Sequence, residues 1–156
     1  MAKAKANAAG MAKTNAISFL WLLAAIISIS IVEAALAGFG IIPPVLSYSP
    51  ANLFFAFLRL AIIVYAGLAY VSSGTARAAA MGGALFLASS FTLCLSVFAA
   101  KGFATHPILG IFVTADELPA LCAIIILENA LAGAAITAAV AWLSREKIFK
   151  KQFSSI

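Results

Sequence analysis

Three ionisable residues, Glu33, Arg59 and Glu128, stand inside long apolar runs. A charge in hydrocarbon is expensive, by about 2.5–3.5 kcal/mol at mid-helix on insertion scales for Asp, Lys or Arg. Such residues usually face a bundle interior or a partner, and they usually pair. Two carboxylates and one guanidinium at similar depth offer three kinds of chemistry. They can lock helices in register, carry protons or cations, or contact a partner or bound ligand. At ~1.5 Å per residue from the outer helix ends, Glu33 lies ~10 Å deep, Arg59 ~13 Å and Glu128 ~15 Å. The three therefore form an intramembrane charge cluster. Glu33 and Arg59, on consecutive antiparallel helices, are the natural pair. Glu128 is the surplus carboxylate, sharing Arg59 or carrying a proton.

Other reactive types are sparse. Ser89, Thr92 and Ser96 share one face of a helix and are a possible polar lining; such hydroxyls commonly bond back to their own backbone instead. His106 is the single histidine. It cannot supply two axial haem ligands within this chain. As a metal ligand it would need Asp116, Glu117 or residues of another chain, so it is a weak candidate and no metal is assigned. Cys94 and Cys122 fall in the outer halves of neighbouring helices. A disulfide is geometrically conceivable, but two buried thiols fit better, because free cysteine behaves as a small hydrophobe. There is no C-x-x-C, phosphate-binding glycine loop, G-x-S-x-G or H-E-x-x-H. No catalytic set and no cofactor is assigned.

The elements that must position these residues follow from composition. Of 156 residues, 65% are hydrophobic and only 10% charged, with a mean hydropathy of +1.13. Soluble domains run about 45–50% apolar and about 25% charged. This composition excludes a disordered chain, and two cysteines exclude a disulfide scaffold. A transmembrane helix needs about 20 apolar residues. Residues 17–40, 51–73, 78–100 and 118–142 meet that need. Ser49 can cap the second helix with Pro50 at its first position. Asp116 and Glu117 complement the dipole at the start of the fourth, with Pro119 in its first turn. Pro43-Pro44 closes the first helical region. Residues 103–113 are apolar but too short to span, and are expected to lie at the interface or re-enter the bundle. A fifth, very short span is the lesser alternative.

Lys and Arg in the flanks set orientation. Lys3, Lys5, Lys13, Arg77, Arg145, Lys147, Lys150 and Lys151 all fall on one side of a four-span chain, against Lys101 on the other. Both termini are therefore expected on the cytoplasmic or equivalent side, with Trp21 and Trp142 at that interface. The first 37 residues also have signal-peptide features, ending in Ala35-Leu36-Ala37, but the apolar run is long for a signal core. Residues 1–15 form a basic, Ala/Lys-rich tail, expected to be disordered unless a partner holds it. The second tail, 143–156, interleaves bases with apolar residues and could lie on the membrane surface or dock on a subunit. At a net charge of +5 these tails fit anionic headgroups or an acidic partner better than nucleic acid.

Two octets match at six of eight positions: Ile31-Val32-Glu33-Ala34-Ala35-Leu36-Ala37-Gly38 and Ile126-Leu127-Glu128-Asn129-Ala130-Leu131-Ala132-Gly133. On antiparallel helices this would be an inverted repeat, a device that builds transporter sites near the midplane. Ser30, Glu33, Ala37 and Gly40 form one stripe, and Glu128, Ala132, Ala135 and Ala139 another. Small residues let helices approach closely in lipid, so each Glu is expected on a packing seam. A mid-span Glu followed by small residues resembles the proton-carrying helix of rotary ATPase ring subunits. The glycine-rich first helix of that family is missing, the carboxylates stand in helices one and four rather than two and four, and the orientation is opposite. The chain is not assigned to it.

The sequence thus describes one all-α membrane domain over 1–156: a four-transmembrane-helix bundle with a short interfacial or re-entrant segment before the last helix. The function it favours is a non-catalytic integral subunit that scaffolds a larger membrane complex of respiratory, photosynthetic or oxidase type. Other integral subunits and lipids would be its partners. The alternative is a small homo-oligomeric proton or cation transporter or channel, with Glu33 and Glu128 as carriers and Arg59 tuning them. A third reading, acid–base catalysis on a lipid or quinone, has no residue pattern that selects a reaction.

Overall fold

The computed structural model describes residues 2–45, 49–99 and 116–153, with backbone alone for 2–17 and 147–153. It contains four long helices: α1 (Ala2–Gly38), α2 (Pro50–Ala69), α3 (Thr75–Ala99) and α4 (Leu118–Phe153). A 3-10 turn, Val71–Ser73, joins α2 to α3. No strand occurs among the described residues. Apolar stretches within the four helices, Ser18–Gly38, Pro50–Ala69, Thr75–Ala99 and Leu118–Glu146, are each long enough to cross a membrane. Residues 103–113, Lys101 and His106 lie outside the described residues.

Local chemistry sets the helix ends. Ser49 is extended (φ −139°, ψ 154°) and its hydroxyl accepts from the Asn52 amide at 3.1 Å, with Pro50 next. The Asn52 side chain donates to the Pro44 carbonyl at 2.9 Å and ties α2 to the segment that follows α1. The end of α1 is made by glycine before the prolines are reached. Gly40 sits at φ +71°, its amide donates to Ala37 O at 3.0 Å, and Ile41 N donates to Leu36 O at 2.9 Å. That pair of bonds is a Schellman cap. An L-residue in this left-handed position costs about 1–2 kcal/mol. Gly40→Ala is therefore expected to lower stability by about that amount, read as a drop in Tm of the purified chain; an unchanged Tm would refute the cap's role.

Both ends of the chain are helical among the described residues. The N-terminal tail is not irregular: α1 starts at Ala2, and alanine and lysine are among the strongest helix formers. At the other end α4 continues through Arg145 to Phe153 as one helix, so the basic C-terminal tail begins within it. At ~1.5 Å per residue both helices approach 55 Å, well beyond a hydrocarbon core of about 30 Å. Arg77 stands in the first turn of α3, not in a loop.

The helices pack with α3 against α4 as the most extensive pair, and α1 and α2 laid over them. Two apolar cores result. One gathers Val45, Leu93, Cys94, Val97, Leu118, Cys122 and Ile125 near the end where α4 begins. The other gathers Ile26, Ile63, Ala66, Tyr70, Ala78, Leu85 and Ala141 near the α2–α3 turn. Arg145 Nε donates to Val71 O at 2.7 Å, pinning α4 to that turn. Arg77 and Arg145 thus share one end of the bundle. Beside them, burial pushes the Tyr70 phenol above its usual range, and the Arg77 charge pulls it partly back. The outward surface is apolar, with Trp21, Phe57, Leu127, Leu131 and Trp142 among the large exposed side chains.

Candidate functional site: a polar layer between two apolar cores

Between the two cores lies a thin polar layer. On α1 the positions Ser30 and Glu33, three residues apart, share a face, and both are fully buried. Glu33 meets Arg59 of α2: Arg59 Nη1 donates to Glu33 Oε2, with the two side chains 12% and 2% exposed. Ser30 meets α3, its Oγ 2.8 Å from Ser89 Oγ. The Ser30 proton goes to Ile26 O at 2.9 Å, so Ser89 is the donor across the helices. The layer ties α1 to α2 by charge and to α3 by a hydroxyl bond. In a low-dielectric interior an unpaired polar group is costly, so this layer fixes depth and rotation of α1.

Two further hydroxyls of α3, those of Thr92 and Ser96, are bonded within their own helix. Thr92 Oγ1 donates to Ala88 O at 2.8 Å, and Ser96 Oγ to Leu93 O at 2.6 Å. Both turn back onto their own helix, as hydroxyls in helices do when no partner faces them. Cys94 and Cys122 are free, buried thiols, with Cys94 Sγ directed at Cys122 O at 3.9 Å.

Glu128 departs from the sequence expectation. It does not join Glu33 and Arg59, and it is not on a packing seam: Glu128, Ala132, Ala135 and Ala139 are all exposed on the outside of α4. Arg59–Glu33 is an ion pair, and Glu128 has no polar partner among the described residues. The inward face of α4 is built instead from Cys122, Ile125, Gly133, Thr137 and Ala141. The interlock with α3 decides this. Gly133 lies against Gly82, so closely that a Cβ on Gly133 would sit 2.5 Å from the Gly82 carbonyl oxygen. Thr137 fills the space beside Gly82 and satisfies its hydroxyl on Gly133 O at 2.8 Å. Thr137 and Asn52 are buried polar residues that the sequence reading does not single out; Thr137 stands one helical turn after Gly133 and Asn52 two residues after Pro50, which is the available signal. That reading also puts the matching octets in equivalent surroundings, whereas one carboxylate is inside the bundle and the other outside.

Asp116 and Glu117 are exposed, and Glu117 O accepts from Leu121 N at 3.0 Å to open α4. No group of His, Cys, Asp and Glu able to hold a metal ion occurs among the described residues. A shallow hollow of about 480 Å³ on the outer face of α2, lined by Phe57, Leu60, Ala61, Val64, Tyr65 and Leu68, holds no charged group. Fold and site define a class: a four-helix bundle of membrane-spanning dimensions with a buried ion pair inside and, ten residues into α4, an exposed carboxylate, Glu128. Comparison with known proteins adds no narrower name, since no family model, curated protein or solved structure matches this chain.

Proposed function

We propose that the chain is a multi-pass integral membrane subunit, without a catalytic site of its own, that scaffolds or stabilises a larger multi-subunit membrane complex. The observation that carries this reading is the position of Glu128: about 15 Å from the start of α4, on the outside, with no polar partner among the described residues. A carboxylate facing lipid at that depth is costly, and neighbouring protein is the usual remedy. The interior argues the same way. Its Glu33–Arg59 pair is self-neutralising, and the Thr92 and Ser96 hydroxyls are spent on their own helix.

A homo-oligomeric proton or cation carrier also has Glu128 in its favour. It is the weaker reading because Glu33 is already matched by Arg59, so the two carboxylates do not form a path. Native mass spectrometry after mild-detergent extraction from the source membrane separates the two. Masses of other polypeptides bound to this chain are expected. A pure homo-oligomer would overturn the subunit reading and make flux through liposomes, with Glu128→Gln as the loss variant, the next measurement.

A further inference from the structure

We propose that the outer face of α4 carrying Glu128, Ala132, Ala135 and Ala139 is the docking face for a transmembrane helix of a different polypeptide, one that carries a lysine or arginine at mid-depth. The inference rests on the subunit reading and specifies which face is used and what it recognises.

The face is defined by geometry. Glu128 lies six residues beyond Cys122, about 120° around α4 from the inward face at ~100° per residue. Ala132, Ala135 and Ala139 continue the same stripe along the helix and are exposed. Leu131 and Trp142 stand beside it, also exposed. The result is a shallow channel with an alanine floor and a carboxylate near its middle. Without a hydrophobic drive between helices in lipid, close packing over small residues and polar contacts between helices are what hold them together. This face offers both.

Charge complementarity selects the occupant. A second copy of this chain would bring Glu128 against Glu128, a like charge. Its Arg59 is not available, being committed to Glu33 inside the bundle. Its Arg145 is 17 residues further along α4, about 26 Å from the level of Glu128. Cationic headgroups of lipids are likewise about 15 Å away, half a hydrocarbon thickness. What answers a carboxylate at this depth is a cation carried there on another span. Such a cation would itself be costly alone, so each partner removes the other's penalty.

The test is made on the full chain in its source membrane. A photo-crosslinking amino acid is placed at Leu131, beside the stripe, and in a second variant at Phe57 on the outer face of α2. Crosslinked peptides are identified by mass spectrometry. The Leu131 probe is expected to join a transmembrane segment of another polypeptide, with Lys or Arg within about one helical turn of the joined residue. Glu128→Leu is expected to lower that crosslink about tenfold while the extracted chain keeps its Tm, because the change removes a charge from an outer surface. Glu128→Lys combined with a Glu in place of the partner's cation is expected to restore it. Crosslinking to a second copy, to lipid alone, or to a segment without a cation would overturn the proposal, as would an unchanged yield in Glu128→Leu. If the chain extracts with other polypeptides but the Leu131 probe meets only lipid, this inference fails and the subunit reading stands. If it extracts as a homo-oligomer, both fail.

Discussion

Glu33→Leu is expected to destabilise the bundle more than Arg59→Leu, and the double replacement is expected to recover most of the loss. Removing one member of a buried ion pair leaves an uncompensated charge and costs about 3–5 kcal/mol, whereas replacing the pair by apolar residues of similar volume is often neutral or better. The two single variants differ because the survivors differ. A carboxylate left alone can take up a proton and become neutral. A guanidinium left alone cannot, since arginine is not deprotonated in proteins. Arg59 stranded opposite a leucine therefore keeps its full charge between α1 and α2, and the Glu33→Leu loss falls at the upper end of that range. The measurement is a double-mutant cycle on unfolding free energy in mixed micelles, with Trp21 and Trp142 fluorescence as the signal. Strictly additive losses, with the double variant as poor as the sum of the singles, would show that the contact contributes no coupling and that the pair does not hold α1 to α2.

What the sequence reveals and what it withholds follow from the same feature, the scarcity of distinctive side chains. Length and composition are enough to mark four helices, because runs of about 20 apolar residues are too long and too uniformly apolar for the alternating strands of a barrel, and a helix satisfies its own backbone. The Ser49-Pro50 start of α2 is legible because cap chemistry is local. Depth and chain adjacency bring Glu33 and Arg59 to one level, and the structure holds them in contact. The face used by α4 is not legible. Alanine stripes occur on several sides of this helix, so a stripe headed by Glu128 looks as good a seam as one through Gly133 and Thr137. The choice is made by α3: Gly82 leaves a gap that only a residue without a side chain can meet, and Thr137 then fits beside it. This is a pairwise property of two helices, invisible in either alone. Similarly, which of Ser89, Thr92 and Ser96 reaches another helix depends on where Ser30 arrives, and Ser89 alone meets it. The tails depart from expectation for a different reason. The polarity of residues 1–15 suggests irregular chain, but a segment attached to a formed helix has no nucleation cost, so this alanine-rich tail, like the alanine-free basic tail after Trp142, simply extends its helix.

Gly133→Leu is expected to separate α3 from α4 and to lose the folded bundle altogether, while Gly38→Ala, at the last residue of α1, is expected to be tolerated. A Cβ at Gly133 would lie 2.5 Å from the Gly82 carbonyl oxygen, 2.9 Å from Phe86 Cβ and 3.0 Å from the Gly82 carbonyl carbon. Overpacking that flexible side chains can absorb costs about 1–3 kcal/mol. Here two of the three atoms are backbone in the middle of a helix, so no rotamer change relieves them and the helices must move apart. Moving apart also withdraws Thr137 from its place beside Gly82 and loosens the cores on both sides, which rely on Leu85 and Leu93 of α3 facing Ile125 and Ala141 of α4. Gly133→Ala should already exceed the ordinary overpacking range, above about 3 kcal/mol, and leucine should go further. At Gly38 nothing lies within 4 Å of where a Cβ would stand, and alanine is the better helix former by about 1 kcal/mol. Gly83→Ala falls between them, its Cβ 3.2 Å from Ala130 O. The Tm values of the three alanine variants should therefore rank Gly38 above Gly83 above Gly133. A Gly133→Ala chain that melts with the parent would mean that α3 and α4 do not approach as closely as their glycines allow, and the outward position of Glu128 would have to be argued afresh from that looser packing.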